Sequence, residues 1–264
     1  MNKGKMLTGM AMMASASAAT AGTIAVPFAP PVGQALSYRI EQHRPVEGKV
    51  SEFTATRDLR FDRDGEGYAL TVTLRTIDTN APPSGAEPYR AALEPLVGIA
   101  IRFRLDAKGQ FVGVDDMDGV WAKVQAGVDA IASGAQGDRQ RAAKNIQTLF
   151  TGLSPEGRLS LLSGEVRPLF LFVASNVEDG AGRGLRTVAG SPLTRPVPVE
   201  GVLKLTAQDG DGLKLEENLS GQGVQVAIRY TLSRVTGLVE NQERSLIAGG
   251  QILVESRSLK SAGS

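Results

Sequence analysis

Residues 97–116 read Val97-Gly-Ile-Ala-Ile-Arg-Phe-Arg-Leu-Asp-Ala-Lys-Gly-Gln-Phe-Val-Gly-Val-Asp-Asp116, and the fold turns on them and on the run that follows to 133. Ile99, Ile101, Phe103 and Leu105 alternate with Ala100, Arg102 and Arg104, the period of a strand with one buried face. Asp106-Ala-Lys-Gly109 supplies turn chemistry, and residues 110–114 return as the partner strand. Past Asp115 and Asp116 the period changes. Met117, Val120, Trp121, Val124, Val128 and Ile131 fall on one face of a helix. A hairpin therefore runs straight into an amphipathic helix that must pack on a sheet.

Working outward, the N-terminal side reads as further strands. Leu36, Tyr38 and Ile40 alternate with polar residues, and Tyr68, Leu70, Val72 and Leu74 do the same. Between them Phe53, Ala55, Leu59 and Phe61 mark another strand, whose apolar face is interrupted by Arg57. Short polar turns such as Asp62-Arg-Asp-Gly-Glu-Gly67 join these strands into an antiparallel meander. Residues 80–94 break the sheet, with one helical turn expected at 88–93.

On the C-terminal side Ala142, Ala143, Ile146, Leu149 and Phe150 mark a second helix. Ser154-Pro155-Glu156 then places a capping hydroxyl, a first-position proline and a first-turn acid, opening a third helix with Leu159, Leu162, Val166 and Leu169. Residues 176–198, rich in glycine and proline, read as a mobile excursion. Strands resume at 202–207, 213–219, 224–232, 237–241 and 251–256. Ala100-Ile-Arg-Phe-Arg-Leu105 lies over Ala227-Ile-Arg-Tyr-Thr-Leu232, a short repeat that fits either a duplication or convergence of similar strands.

The expected fold is α+β: a strongly curved antiparallel sheet, a half-barrel of about nine or ten strands, with a helical layer inserted between two β blocks. The expected boundaries are a lead-in at 22–35 and one domain at 36–258. Within it lie a first β block at 36–114, a helical block at 115–175 and a second β block at 197–256.

Residues 1–21 read as an export signal. Lys3 and Lys5 precede a short apolar core, and Ala19-Thr-Ala21 fits the small-residue cleavage rule, with Ala14-Ser-Ala16 competing. No apolar run reaches the ~20 residues of a membrane-spanning helix. Composition is that of a globular protein, 42% hydrophobic and 22% charged, and the net charge of +1 gives no electrostatic reason to expect nucleic acid as partner. The expected location is the periplasm.

Chemistry-bearing patterns are sparse. Cysteine is absent and His43 is the single histidine, which removes the usual zinc sets and a Ser-His-Asp triad. No metal, no cofactor and no enzymatic activity are expected. Asp115, Asp116 and Asp118 read as helix N-terminal acids before they read as an acid–base cluster. Asp62-Arg-Asp-Gly65 and Asp209-Gly-Asp-Gly212 lack the closing glutamate of a calcium loop and read as hairpin turns. Gly180-Ala-Gly-Arg-Gly184 lacks the lysine of a phosphate loop.

Leu93-Glu-Pro-Leu-Val-Gly98, the strand to Leu105, the 106–109 turn and the helix from Asp115 resemble the central block of a bacterial envelope family without an assigned activity, mostly lipoproteins. Leu153-Ser-Pro-Glu-Gly157 and Thr236-Gly-Leu-Val239 match the same pattern. The family's layout looks like the half-barrels of the lipoprotein-localisation carriers. This chain departs from it in having no anchor cysteine, and it lacks a Gly-x-x-Trp element between the helices and the second β block.

Two functional expectations follow. One is an exported binding or carrier module for an apolar ligand such as a lipid or acyl chain, lined by Met117, Trp121, Val124, Phe103 and Leu162. Such a stripe reads more often as plain core, which leads to the other: an envelope interaction protein with a filled interior and a protein partner.

Overall fold

The computed structural model of the chain describes residues 22–134, 144, 147–148, 150–189 and 197–263. The export signal at 1–21 and the helix positions Ala142, Ala143, Ile146 and Leu149 lie outside the described residues, as does the side chain of Ile131.

The first half contributes β1 (Thr23–Val26), β2 (Ala35–Val46), β3 (Lys49–Asp64), β4 (Gly67–Thr79), α1 (Pro83–Leu93), a 3₁₀ turn (Glu94–Leu96), β5 (Ala100–Leu105) and β6 (Phe111–Val114). Helices α2 (Met117–Gly134) and α3 (Pro155–Ser163) follow, with a second 3₁₀ turn (Arg167–Phe170). The second half supplies β7 (Ser175–Glu178), β8 (Arg183–Ala189), β9 (Val197–Asp209), β10 (Gly212–Gly221), β11 (Val224–Ser233), β12 (Val239–Ala248) and β13 (Gln251–Ser261).

Among the described residues eleven strands form one open antiparallel sheet in the order β6-β5-β4-β3-β2-β13-β12-β11-β10-β9-β8. Its outer strands, β6 and β8, do not pair with each other, so it is not a barrel. β2 and β13 are the one neighbouring pair not consecutive in the chain, in a register that includes Tyr38↔Leu259 and Ile40↔Arg257. β1 and β7 form a separate two-stranded ribbon, from Thr23↔Glu178 to Val26↔Ser175.

Alternation decides which face is covered. In β5 the side chains of Ile101, Phe103 and Leu105 are buried, while Ala100 and Arg104 are exposed. They join Leu36, Leu59, Phe61 and Leu70 in a first apolar cluster, completed from the helical block by Val120, Val166 and Leu169. A second cluster gathers Leu205, Leu213, Leu215, Tyr230 and Leu232, and the ribbon covers it with Val26 and Val177 beside Phe172. Each fully buried leucine or phenylalanine contributes roughly 1.5–3 kcal/mol relative to exposure, so the two clusters carry most of the driving force.

Local chemistry sets the helices. Asp116 takes a positive φ of 49° and its Oδ1 accepts from the Gly119 N–H at 3.2 Å, starting α2. Ser154 Oγ accepts from the Gly157 N–H at 3.2 Å, so the Ser-Pro-Glu signature does start α3. α2 lies close on the first 3₁₀ turn: a Cβ at Gly127 would fall 2.4 Å from the Pro95 Cβ.

Three expectations need correction. The 88–93 turn is the end of an eleven-residue helix that accommodates Pro88. The excursion at 176–198 contains most of β7 and all of β8, the latter hydrogen-bonded along β9 from Arg183↔Leu203 to Ala189↔Val197. The sheet accordingly has eleven strands rather than nine or ten. The short sequence repeat falls on β5 and β11, each the fourth strand of a consecutively paired run, β2–β6 and β8–β13.

Candidate functional site

The side chains singled out on α2 and the sheet sit in the interior. Phe103 is fully buried, edge-on to Phe111 at 5.4 Å between ring centres. Met117 and Leu162 are half-buried against the first apolar cluster. Val124 and Trp121 are buried outside both clusters; the indole meets the Phe150 ring at 5.2 Å, and the Arg158 guanidinium lies 5.2 Å from its centre. The indole N–H is buried without a hydrogen-bond partner.

Two cavities stand out among the described residues, and neither is lined by any of those five side chains. A shallow depression of about 270 Å³ lies at the ends of β10, β11 and β12, bounded by Ser220, Gln225, Ala227, Ser245 and Ile247. The second, about 130 Å³, is more enclosed and lies under the β1–β7 ribbon. Its floor is the buried Phe172, Val177, Leu205 and Leu215 with half-buried Leu203, and the exposed Leu171, Glu178 and Arg183 stand at its edge.

Polar side chains on the covered face form a seam across β3, β2 and β13, with a further pair on β11 and β10. Arg57, the residue that interrupts the apolar face of β3, is 4% exposed. Its Nη2 donates to the Glu165 carboxylate, which comes from the connection after α3, while its Nη1 has no partner. Burial is the main cause that lowers the Arg57 pKa, to about 10, so the guanidinium is still charged at neutral pH. Glu165 is held a second time, through its backbone. Its carbonyl oxygen accepts from the Tyr38 hydroxyl at 3.2 Å and from Arg257 Nη1 at 2.9 Å.

The seam continues through buried Glu255, which accepts from Arg257 Nε at 2.7 Å and from Gln42 Nε2 at 2.6 Å. Further along, the Tyr230 hydroxyl donates to Glu217 at 3.0 Å. Burial first, and the Glu217 charge second, push the Tyr230 pKa well above the usual phenol range.

The acids at the start of α2 act as helix-terminal and ion-pairing groups, as expected, and do not converge on one point. Asp115 binds Arg102 and Arg104, Asp116 caps α2, and Asp118 pairs with Arg158 at 3.4 Å. His43 has company on the other face of the sheet. Its Nε2 lies 2.8 Å from Glu41 Oε1, and with Glu52 it brings three potential metal donors within 4.8 Å of one another. Arg39 already bonds Glu41 at 2.9 Å and approaches Glu52 at 3.6 Å, so this pattern is satisfied as an ion-pair network. Arg39 is also the first cause that lowers the Glu41 pKa, ahead of His43.

Sequence reasoning missed Glu165 and the ribbon cavity. Arg57 was visible as a charge on an apolar face; nothing in the sequence marks Glu165 as its partner 108 residues on.

No helix among the described residues is long and apolar enough to cross a membrane. No protein-family model matches the chain, and no curated protein does. A solved structure described as "Lipid-protein interactions in lipovitellin" aligns over 88% of this chain and 25% of its own, at 10% identity and a TM-score of 0.38. The chain thus spans a quarter of that protein's length, and a likeness this low carries no argument for fold or activity.

Proposed function

We propose that the chain is an exported, periplasmic binding or carrier module for an apolar ligand such as a lipid or acyl chain. The supporting observation is the enclosed cavity under the β1–β7 ribbon, with its apolar floor and a rim that carries Glu178 and Arg183. Small-molecule sites combine an apolar interior with a few polar groups, and here Ser175 and Asn176 add to the polar part of the lining. At about 130 Å³ the cavity has room for on the order of four water-sized groups, so a longer chain requires the ribbon to lift. The ribbon has only four residue pairs, and lifting it exposes Val26 and Val177.

Native mass spectrometry of freshly purified protein, followed by lipid extraction, tests this reading. Wild type is expected to carry, or to take up, an acyl ligand. Leu203→Trp, which fills the cavity from a half-buried position, is expected to lose it. Ligand-free wild type that also ignores added decanol overturns the reading.

A second reading, an envelope interaction protein, is favoured by one feature of the uncovered face. Ile247 and Ile252 pair across β12 and β13, and both are exposed, as is Val254 beside them. Loss of a partner contact in Ile252→Lys, with ligand uptake unchanged, would support it over the carrier reading.

A further inference from the structure

Arg57 carries a full charge in the covered interior with only part of its hydrogen-bonding capacity used. The side chain is nearly inaccessible, Nη2 is bound to Glu165, and Nη1 is buried with nothing to accept its protons. An unmet buried donor costs free energy, more so on an ion. The Glu165 carboxylate is unlike its partner: its side chain is 45% exposed, so one end of this ion pair reaches solvent.

The backbone of Glu165 is fixed independently of its carboxylate, by Tyr38 and Arg257 at the carbonyl oxygen. The carboxylate can therefore swing into water while the connection after α3 stays on the sheet. Its departure would free Nη2 beside an Nη1 that already lacks a partner. A guanidinium binds a carboxylate best through two parallel N–H bonds.

We propose that Arg57 is the seat for the carboxylate of an incoming ligand, and that Glu165 is the resident side chain it displaces. Arg257, the other cation acting on Arg57, is already bound by Glu255 and by the Glu165 carbonyl, so Arg57 is the cation left to an incoming carboxylate. A neutral head group can accept a single hydrogen bond from Arg57 but brings no charge to it, and a cationic one is repelled. This site is distinct from the ribbon cavity and stands or falls without it.

Octanoate, octanol and octylamine are the probes, titrated calorimetrically into wild type, Glu165→Gln and Arg57→Gln. Glu165→Gln removes the competing charge and keeps both anchoring bonds to the carbonyl. It is expected to bind octanoate about tenfold more tightly than wild type, one hydrogen bond to a charged group being worth at least that factor. Octanol and octylamine should show no such gain. Arg57→Gln is expected to lose the octanoate binding. Should that variant not fold, Arg57→Lys keeps the charge, removes the fork and is expected to lose the gain when combined with Glu165→Gln. Carbon-13 spectra of carboxyl-labelled octanoate supply a second readout, since a carboxylate seated on Arg57 stays ionised below the pH at which the free acid protonates. An unchanged affinity in Glu165→Gln, an equal gain for octanol, or retention of binding in Arg57→Gln overturns the proposal. Because Leu203→Trp leaves this site untouched, failure of the cavity reading and failure of the Arg57 reading give different results.

Discussion

A Cβ atom on Gly237 would lie 1.8 Å from the carbonyl oxygen of Pro27, so the lead-in that follows β1 passes directly over the turn between β11 and β12. The Ala29 N–H donates to the neighbouring Thr236 carbonyl at 3.1 Å and fixes the crossing. This contact gives the Thr236-Gly-Leu-Val239 stretch a physical reason. Gly237 has a φ of 78°, and so does Gly98, but a side chain at Gly98 would meet nothing within 4 Å. Gly98→Ala is therefore expected to cost only the backbone penalty, about 1–2 kcal/mol, whereas Gly237→Ala should cost at least about 3 kcal/mol or displace the lead-in. Denaturant unfolding of the two variants side by side checks this, and equal losses would remove the steric account.

The Arg57–Glu165 pair is asymmetric, and its mutants should be too. Glu165→Ala strands a buried guanidinium, while Arg57→Met leaves a carboxylate already half in water. Breaking a fully buried pair costs about 3–5 kcal/mol, and the exposure of Glu165 discounts that figure. The expected loss is about 2 kcal/mol for Glu165→Ala and within about 1 kcal/mol for Arg57→Met. Urea midpoints in the opposite order would mean that the arginine contributes stability rather than carrying a cost.

Trp121, 2% exposed and ring-to-ring with Phe150, should behave as packed interior. Trp121→Ala is expected to cost about 3–5 kcal/mol. Trp121→Phe should cost only about 1–2 kcal/mol, because the indole N–H has no partner to lose. A near-neutral Trp121→Ala would contradict the burial of this face of α2.

Three phenols should resist alkali. Burial is the first cause that raises the pKa of Tyr38, Tyr89 and Tyr230, and at Tyr230 the facing Glu217 adds to it while Arg244 opposes it. A raised folded-state pKa means the unfolded chain loses its proton first. The stabilisation is complete below about pH 10, the unfolded phenol value, and is lost as pH rises beyond it. Tyrosinate absorbance from these side chains should thus appear together with the loss of circular dichroism, and Tyr230→Phe should flatten the alkaline limb of stability. Reversible ionisation of all three within an intact fold would refute the assignment.

How much was legible follows from how each element is solvated. β5, with one face in the core and one in water, shows its period in the letters, and so does the Ser154 cap, whose chemistry is local. β8 has no such signal, because six of its seven residues are exposed or half-exposed, and it is held by its pairing to β9 with only Ala189 and Leu185 reaching the second apolar cluster. β13 was read too short. Its last residues, Arg257 to Ser261, look like a polar tail until β2 lies beside them and the seam accepts their side chains. Arg57 announced itself as an exception within an apolar row. The partner that makes it tolerable, Glu165, sits on α3's trailing connection, while Arg257 of β13 faces it as a like charge, and long-range pairing of that kind leaves no local trace.

The β2–β13 pairing also fixes the order in which the molecule can be completed. Every other strand of the large sheet finds its neighbour next along the chain, so the runs β2–β6 and β8–β13 can each zip up as they emerge. β2 must wait, with one side unbonded, until the final strand is delivered. A waiting edge invites the wrong neighbour, and charge is the usual protection against it. Arg39, Glu41, His43 and Arg44 line that strand, so the residues that look idle in the finished protein guard its midline while it is still a border.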